Sequence, residues 1–237
     1  MDHDALRIAL NALKQVPHSR RRVILNGDIL DMEFLHKKNP IFVDNMKAKN
    51  FEFFAEELQK EYNWYRQFEE TLLEVVRDRN DISFVMGNHE ERVLRPDFYF
   101  KVPHAYRHHC EIREQLGFED RVFVPYNDWL VLGDLYITHG MYCGLNPLKK
   151  HYADCHNNLL IGHTHEAGIQ SFRGLHQTYI TYNNPCLCGT DPAYLGGRTN
   201  NWSVGFTLVH YYKGLTHPQI HTIKDGVCIL SDGTVLK

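Results

Sequence analysis

Four short apolar runs do most to limit what this 237-residue chain can fold into: residues 23–25, 82–86, 135–138 and 159–161. Each is strand-length, and each reads as a strand buried in a sheet rather than one with a wet face. Each also stops at turn-forming polar residues. The four stops are Asn26-Gly27-Asp28, Gly87-Asn88-His89-Glu90, His139-Gly140 and Gly162-His163-Thr164-His165. In α/β folds, ligand sites are built just beyond the carboxyl ends of strands. A glycine beside each polar side chain lets backbone come close to a metal or an anion, because it has no Cβ.

The segments between these runs supply helices at the start and strands at the end. Residues 4–16 place Leu6, Leu10 and Leu13 on one face, with Ile8 and Ala9 beside them, which predicts an amphipathic helix with Asp4 as its N-cap. Over 46–79, Phe51, Phe54, Leu58, Tyr62, Tyr65, Leu72 and Val76 recur at steps of three and four, the mark of one long helix with an aromatic core stripe. Residues 96–118, interrupted by Pro96 and Pro103, read as mixed helix and loop. From about 120 onward, runs such as RVFVPY, WLVLGD, QTYITYN and SVGFTLVHYY read as successive strands. Early βα alternation followed by a β-rich second half predicts a sheet-on-sheet α/β sandwich with helices outside. With no repeat, linker or composition break, residues 1–237 read as a single domain.

Composition narrows the function classes. A net charge of −3 gives no global electrostatic case for nucleic-acid binding, although Arg20-Arg21-Arg22 and Lys149-Lys150 are short basic candidates for a local patch. Tyr142 and Trp202 are candidates to stack on bases, against the commoner role of such rings in a core. No run of about 18 apolar residues exists, so no membrane span is expected. The N-terminus lacks the cationic and apolar regions of a signal peptide. The six cysteines form no C-x2-C pair, and Cys186-x-Cys188 is too isolated to suggest a zinc knuckle; they read as reduced thiols of a cytosolic protein.

The residue types at the strand ends suit one chemistry. Asp28 offers an anionic oxygen able to bridge two cations, Asn88 a neutral amide oxygen, and His139, His163 and His165 borderline nitrogens. Mixed oxygen and nitrogen donors favour Mn, Fe, Zn or a similar ion over Ca or Mg. Taken singly, each has a plainer explanation: Asn88 a turn residue, Asp28 a helix cap, His139 a hydrogen-bonded histidine. All four groups in order, each after a strand, favour the metal reading.

In these blocks the chain resembles the calcineurin-like metallophosphoesterases, of phage and bacterial type. That pattern runs D-x-H, G-D-x-x-D, G-N-H-[DE], a lone His before Gly, then G-H-x-H. Its counterparts here are Gly27-Asp28-Ile29-Leu30-Asp31, Gly87-Asn88-His89-Glu90, His139-Gly140 and Gly162-His163-Thr164-His165. The resemblance implies a four-layer αββα sandwich and hydrolysis of phosphate mono- or diesters by metal-activated water. It makes Asp28 the carboxylate shared by two metals, with Asn88, His139 and His163 ligands of one and His165 a ligand of the other. His89 becomes the group that contacts phosphate and protonates the leaving oxygen, and Asp31 and Glu90 become groups that orient ligands. It implies divalent metals, Mn²⁺ first and Fe, Zn or Ni as alternatives. It also implies a phosphoester substrate that can be a nucleic acid, and a bacterial or phage-infected cytoplasm.

One block is missing. Asp2-His3-Asp4 is not D-x-H and leads straight into the first helix, so the first strand of the family pattern is not in this sequence. Three readings follow: a start further upstream, a truncated and catalytically impaired binding or structural relative, or a chain that keeps one metal.

Overall fold

The computed structural model describes residues 1–190 and 199–237. Two compact units make up the chain: Arg22–Tyr126, and Met1–Arg21 together with Asn127–Lys237.

The chain opens, in the second of these units, with helix α1 (His3–Lys14). Its cap is Asp2 rather than Asp4: the Asp2 carboxylate accepts the backbone N–H groups of Asp4 and Ala5 at 3.0 Å each. The helix thus starts two residues earlier, and its buried residues are Ala5, Leu6, Ile8 and Ala12, of which Ile8 and Ala12 pack with Phe206, Cys228, Leu230 and Leu236.

The Arg22–Tyr126 unit is built on a three-stranded parallel sheet of order β1-β2-β3, with β1 at Val23–Asn26, β2 at Ile82–Val85 and β3 at Phe123–Val124. Val23 pairs with Ile82 and Asn26 with Val85, so β1 and β2 end level with one another. Between them run α2 (Pro40–Ala48) and α3 (Phe51–Leu73). The periodicity over 46–79 predicted one helix here. The break falls at Lys49, which takes the left-handed conformation and ends α2, and Asn50, whose side chain caps α3 through the Phe53 N–H. The aromatic stripe is core as expected: Tyr62 and Tyr65 are fully buried, and Tyr65 meets Phe84 of β2 edge-on at 6.0 Å. Three short helices follow β2: α4 (Asn88–Glu91), α5 (Pro96–Tyr99) and α6 (Ile112–Gln115). Glu69 of α3, itself buried, closes an ion pair of 2.5 Å with Arg121.

The other unit carries a five-stranded sheet of order β4-β5-β6-β8-β7. Its strands are β4 (Leu130–Leu132), β5 (Leu135–Ile137), β6 (Asn158–Ile161), β7 (Gly168–Arg173) and β8 (Thr178–Asn183). The central three, β5, β6 and β8, are parallel, with Ile137 beside Leu160 and Ile161 beside Asn183. Helix α7 (Pro147–Cys155) packs Leu148 on Leu159 and Ile161. Two hairpins complete the unit: β9 (Gly205–Tyr212) with β10 (Leu215–Thr222), and β11 (Cys228–Ile229) with β12 (Val235–Leu236). No helix among the described residues is long and apolar enough to cross a membrane.

Candidate functional site

Level parallel strands deliver their following residues to one edge, and in each unit that edge collects the chemistry-bearing side chains. In the Arg22–Tyr126 unit, β1 runs into Gly27 and Asp28, both left-handed at φ 76° and 52°. A left-handed aspartate is unfavourable by about 1–2 kcal/mol relative to the right-handed form, so something must hold it. Glu90 does. Its fully buried carboxylate accepts four backbone N–H groups: Gly87 at 2.9 Å and Asp28 at 3.0 Å on Oε2, Ile29 at 2.7 Å and Leu30 at 2.8 Å on Oε1. Gly87 is required by closeness rather than by φ, because a Cβ there would collide with the Asp28 side chain and backbone nitrogen. Arg92, buried as well, reaches back to the carbonyls of Asp31 and Met32 at 3.1 and 3.2 Å, and Glu61 of α3 accepts the N–H groups of the same two residues. The loop after β1 is thus pinned by three side chains from other elements.

Asp28 accepts the His89 backbone N–H on Oδ1 at 3.0 Å. The His89 ring stands between two carboxylates, with Nδ1 3.6 Å from Asp31 and Nε2 3.9 Å from Asp28. Burial pulls the His89 pKa down, but the neighbouring Asp31 and Asp28 carboxylates together outweigh it and the net shift is upward. The neighbouring His89 ring in turn draws Asp31 below the usual carboxylate range. Asn88, half-buried, heads α4 directly after β2.

In the other unit, β5 and β6 end at His139 and His163. The His139 carbonyl accepts the N–H groups of both Gly162 and His163 at 2.9 Å, which fixes the two strand ends to each other. Their rings meet with His139 Nε2 3.2 Å from His163 Nδ1. Two imidazoles on one cation at about 2.0–2.1 Å place their nitrogens about this far apart when the angle at the metal is near tetrahedral. The pair therefore fits a shared ion. Next to it, buried His151 accepts the N–H groups of Met141 and Tyr142 on Nε2, at 3.0 and 3.3 Å, while Nδ1 bonds the Pro147 carbonyl at 2.8 Å. Nε2 as acceptor makes this imidazole neutral, and burial lowers its pKa.

His165 takes a different course. It is left-handed at φ 61°, and its ring lies with Cys186 and Cys188, all three ligand atoms within 4.8 Å of one another. Cys188 Sγ is 3.9 Å from His165 Nδ1, and Trp202 stands edge-on to the His165 ring at 4.3 Å.

Of the residues singled out in the sequence, Asp28, Asp31, His89 and Glu90 lie together in one unit, and His139 and His163 in the other. His165 joins two cysteines that the sequence offered no reason to select. Arg92, Glu61 and His151 also escaped notice. Glu61 lies in QKEYN, Arg92 in EERVL and His151 in KKHYA, polar stretches in which nothing local marks one residue from its neighbours.

Residues 3–174 match the family model of the calcineurin-like phosphoesterases. Among solved structures, the crystal structure of a double mutant of Vps29 from Entamoeba histolytica is similar at 12% identity and a TM-score of 0.43, over 93% of this chain and 84% of that one. No curated protein matches the sequence.

Proposed function

The chain belongs to the calcineurin-like phosphoesterases and has their α/β fold, and on that premise we propose that it hydrolyses phosphate mono- or diesters with a divalent metal held by Asp28, Asn88, His139 and His163. The observation that carries this reading is the His139–His163 pair, whose ring nitrogens at 3.2 Å match two ligands of one ion. On this reading residues 1–237 work as one metallophosphoesterase domain. Manganese(II) is the first candidate, because the donor set mixes carboxylate, amide and imidazole. All six cysteines are free, which suits a reducing compartment such as the cytoplasm.

When bound, such an ion supplies an activated water and neutralises charge on the phosphoryl oxygens. The side chains of this protein do the rest. Asp28 contributes the anionic oxygen, in a turn that Glu90 and Gly87 hold in place. His89, fixed by Asp31 at Nδ1, presents Nε2 as proton donor to the leaving oxygen. Asp31 acts through His89 and is a positioning residue.

The test uses the purified chain loaded with Mn²⁺ and three substrates: para-nitrophenyl phosphate, its bis ester and single-stranded DNA. We expect metal-dependent turnover of an ester, abolished by Asp28→Asn and by His163→Ala, and lowered by about 100-fold or more by His89→Ala. Turnover of DNA with salt-dependent binding assigns a nuclease; turnover of the small esters alone assigns a small-phosphoester hydrolase. No hydrolysis with any divalent metal, or full activity in His163→Ala, overturns the reading.

A further inference from the structure

We propose that His165, Cys186 and Cys188 form a separate binding site for a thiophilic ion, zinc first, with donor chemistry unlike that of the Asp28, Asn88, His139 and His163 set. The inference goes beyond the proposed hydrolysis and does not depend on it.

The strand order brings the three residues together. β6 and β8 are adjacent and parallel, Ile161 is level with Asn183, and the Asn184 N–H continues the ladder to the Ile161 carbonyl at 2.7 Å. His165 follows β6 by four residues, and Cys186 and Cys188 follow β8 by three and five. Cys186 forms a β-bridge with Val204, the backbone bends at Leu187 and Cys188, and both thiols come within reach of His165.

The distances suit a tetrahedral ion. Zn–S of about 2.3 Å and Zn–N of about 2.0–2.1 Å place ligand sulfurs about 3.8 Å apart and sulfur about 3.5 Å from nitrogen. Here Cys188 Sγ is 3.9 Å from His165 Nδ1, and no pair of the three ligand atoms exceeds 4.8 Å. Closing on an ion therefore takes displacements of about 1 Å or less, within the reach of side-chain rotation. Three protein ligands leave one coordination position for water or an exogenous group.

The scaffold already holds the ligands. Ser203 N–H donates to the His165 carbonyl at 2.8 Å, Cys186 N–H to the Ser203 carbonyl at 3.0 Å, and Gly205 N–H to the Cys186 carbonyl at 2.8 Å. Leu187, between the two cysteines, accepts the Asp2 N–H at 2.9 Å, so the cap of α1 fixes the loop from its other side. His165 is turned into the cluster by its left-handed backbone, a conformation histidine adopts more readily than most residues. Two thiols and an imidazole select zinc, or copper(I), over manganese and magnesium. Binding releases the thiol protons.

Cobalt(II) is the probe, because its thiolate complexes absorb in the near ultraviolet. The full chain, purified under reducing conditions and stripped of metal, is titrated with Co²⁺ and then with Zn²⁺. We expect a thiolate-to-cobalt band that zinc abolishes. The band should survive the His139→Ala/His163→Ala double substitution, vanish in Cys186→Ser/Cys188→Ser, and weaken in His165→Ala. Because the cysteine variant can fail to fold, the unmutated chain gives a second readout. Zinc should protect Cys186 and Cys188 from alkylation and leave exposed Cys143 reactive, as mapped by peptide mass. Absence of the band, a band that persists in the folded Cys186→Ser/Cys188→Ser variant, or unprotected thiols under saturating zinc overturns the proposal. So does a Cys186–Cys188 disulfide that forms in the presence of zinc. Loss of hydrolysis in the His139→Ala/His163→Ala variant with the band intact bears on the phosphoesterase reading alone, so the two proposals fail separately.

Discussion

Replacing Glu90 by Gln tests whether one buried carboxylate holds the Asp28 turn. The change is close to isosteric, so packing stays constant. What changes is that one of two acceptor oxygens becomes an amide donor. Each Glu90 oxygen takes two backbone N–H groups, so glutamine keeps two bonds and turns its NH2 on the other pair. A hydrogen bond to a charged acceptor contributes about 1.5–3 kcal/mol, so losing two costs about 3–6 kcal/mol. A domain is stable by only about 5–15 kcal/mol, so the Arg22–Tyr126 unit should be left marginal. Trp64 lies in that unit, stacked on Phe68, and Trp129 and Trp202 lie in the other. In a Trp129→Phe/Trp202→Phe background, urea unfolding followed by Trp64 fluorescence reports on this unit alone. The midpoint should fall steeply for Glu90→Gln against that background. Metal affinity, measured below the transition, should drop by about 10–100-fold, the usual result of removing a group that orients a ligand. If Glu90→Gln unfolds within about 0.5 kcal/mol of its parent, the range of an ordinary surface change, and binds metal as before, the carboxylate is not what holds Asp28.

Three further substitutions probe other contacts. Gly87→Ala puts a methyl into the Asp28 side chain and backbone nitrogen; it should cost about 1–3 kcal/mol and weaken Mn²⁺ binding in a calorimetric titration, and a silent variant would show that the turn has room to spare. Arg121→Met leaves Glu69 buried without its closest partner, a loss of about 3–5 kcal/mol that Arg121→Met/Glu69→Leu should largely recover, with urea midpoints as the measure. His151 has a folded pKa below its unfolded value of 6.5, so its contribution is complete above about pH 6.5 and is lost as pH falls through the folded pKa, where protonated Nε2 can no longer accept the Met141 and Tyr142 amides; thermal melts of the parent between pH 7.5 and 5 should decline more steeply than those of His151→Gln.

The four strand runs were legible because strands set inside a sheet favour a mostly apolar composition, and they became β1, β2, β5 and β6 within a residue or so. The donors at their tips were legible for a related reason: a polar side chain directly after such a run has no packing role there. The single helix expected over 46–79 failed at Lys49-Asn50, because hydrophobic periodicity continues across a two-residue break whose only signals are a left-handed lysine and an asparagine cap. The cap of α1 was misplaced for a simpler reason. Asp2 and Asp4 are equally good caps in composition, and the Asp2 N–H bond to Leu187 belongs to a tertiary contact that no local window contains.

His165 shows where sequence reading runs out. The Gly-His-x-His spacing names two histidines, and an extended chain would send both to the same face. The structure separates them because His165 is left-handed and Ser203 holds its carbonyl. What lies within its reach is then decided by which strand sits next to β6. That neighbour is β8, which follows β7 in the chain and pairs on its other side with it. Strand order is set by the whole sheet, so Cys186 and Cys188 carry no local mark of their nearness to a histidine 21 and 23 residues earlier. The donors can be read one at a time from the strand tips, but which of them share an ion is a property of the topology. A metal count on the purified chain, compared between Cys186→Ser/Cys188→Ser and His139→Ala/His163→Ala, therefore measures something the motif cannot: two independent losses of one ion each mean two separate sites, and a joint loss in either variant means one.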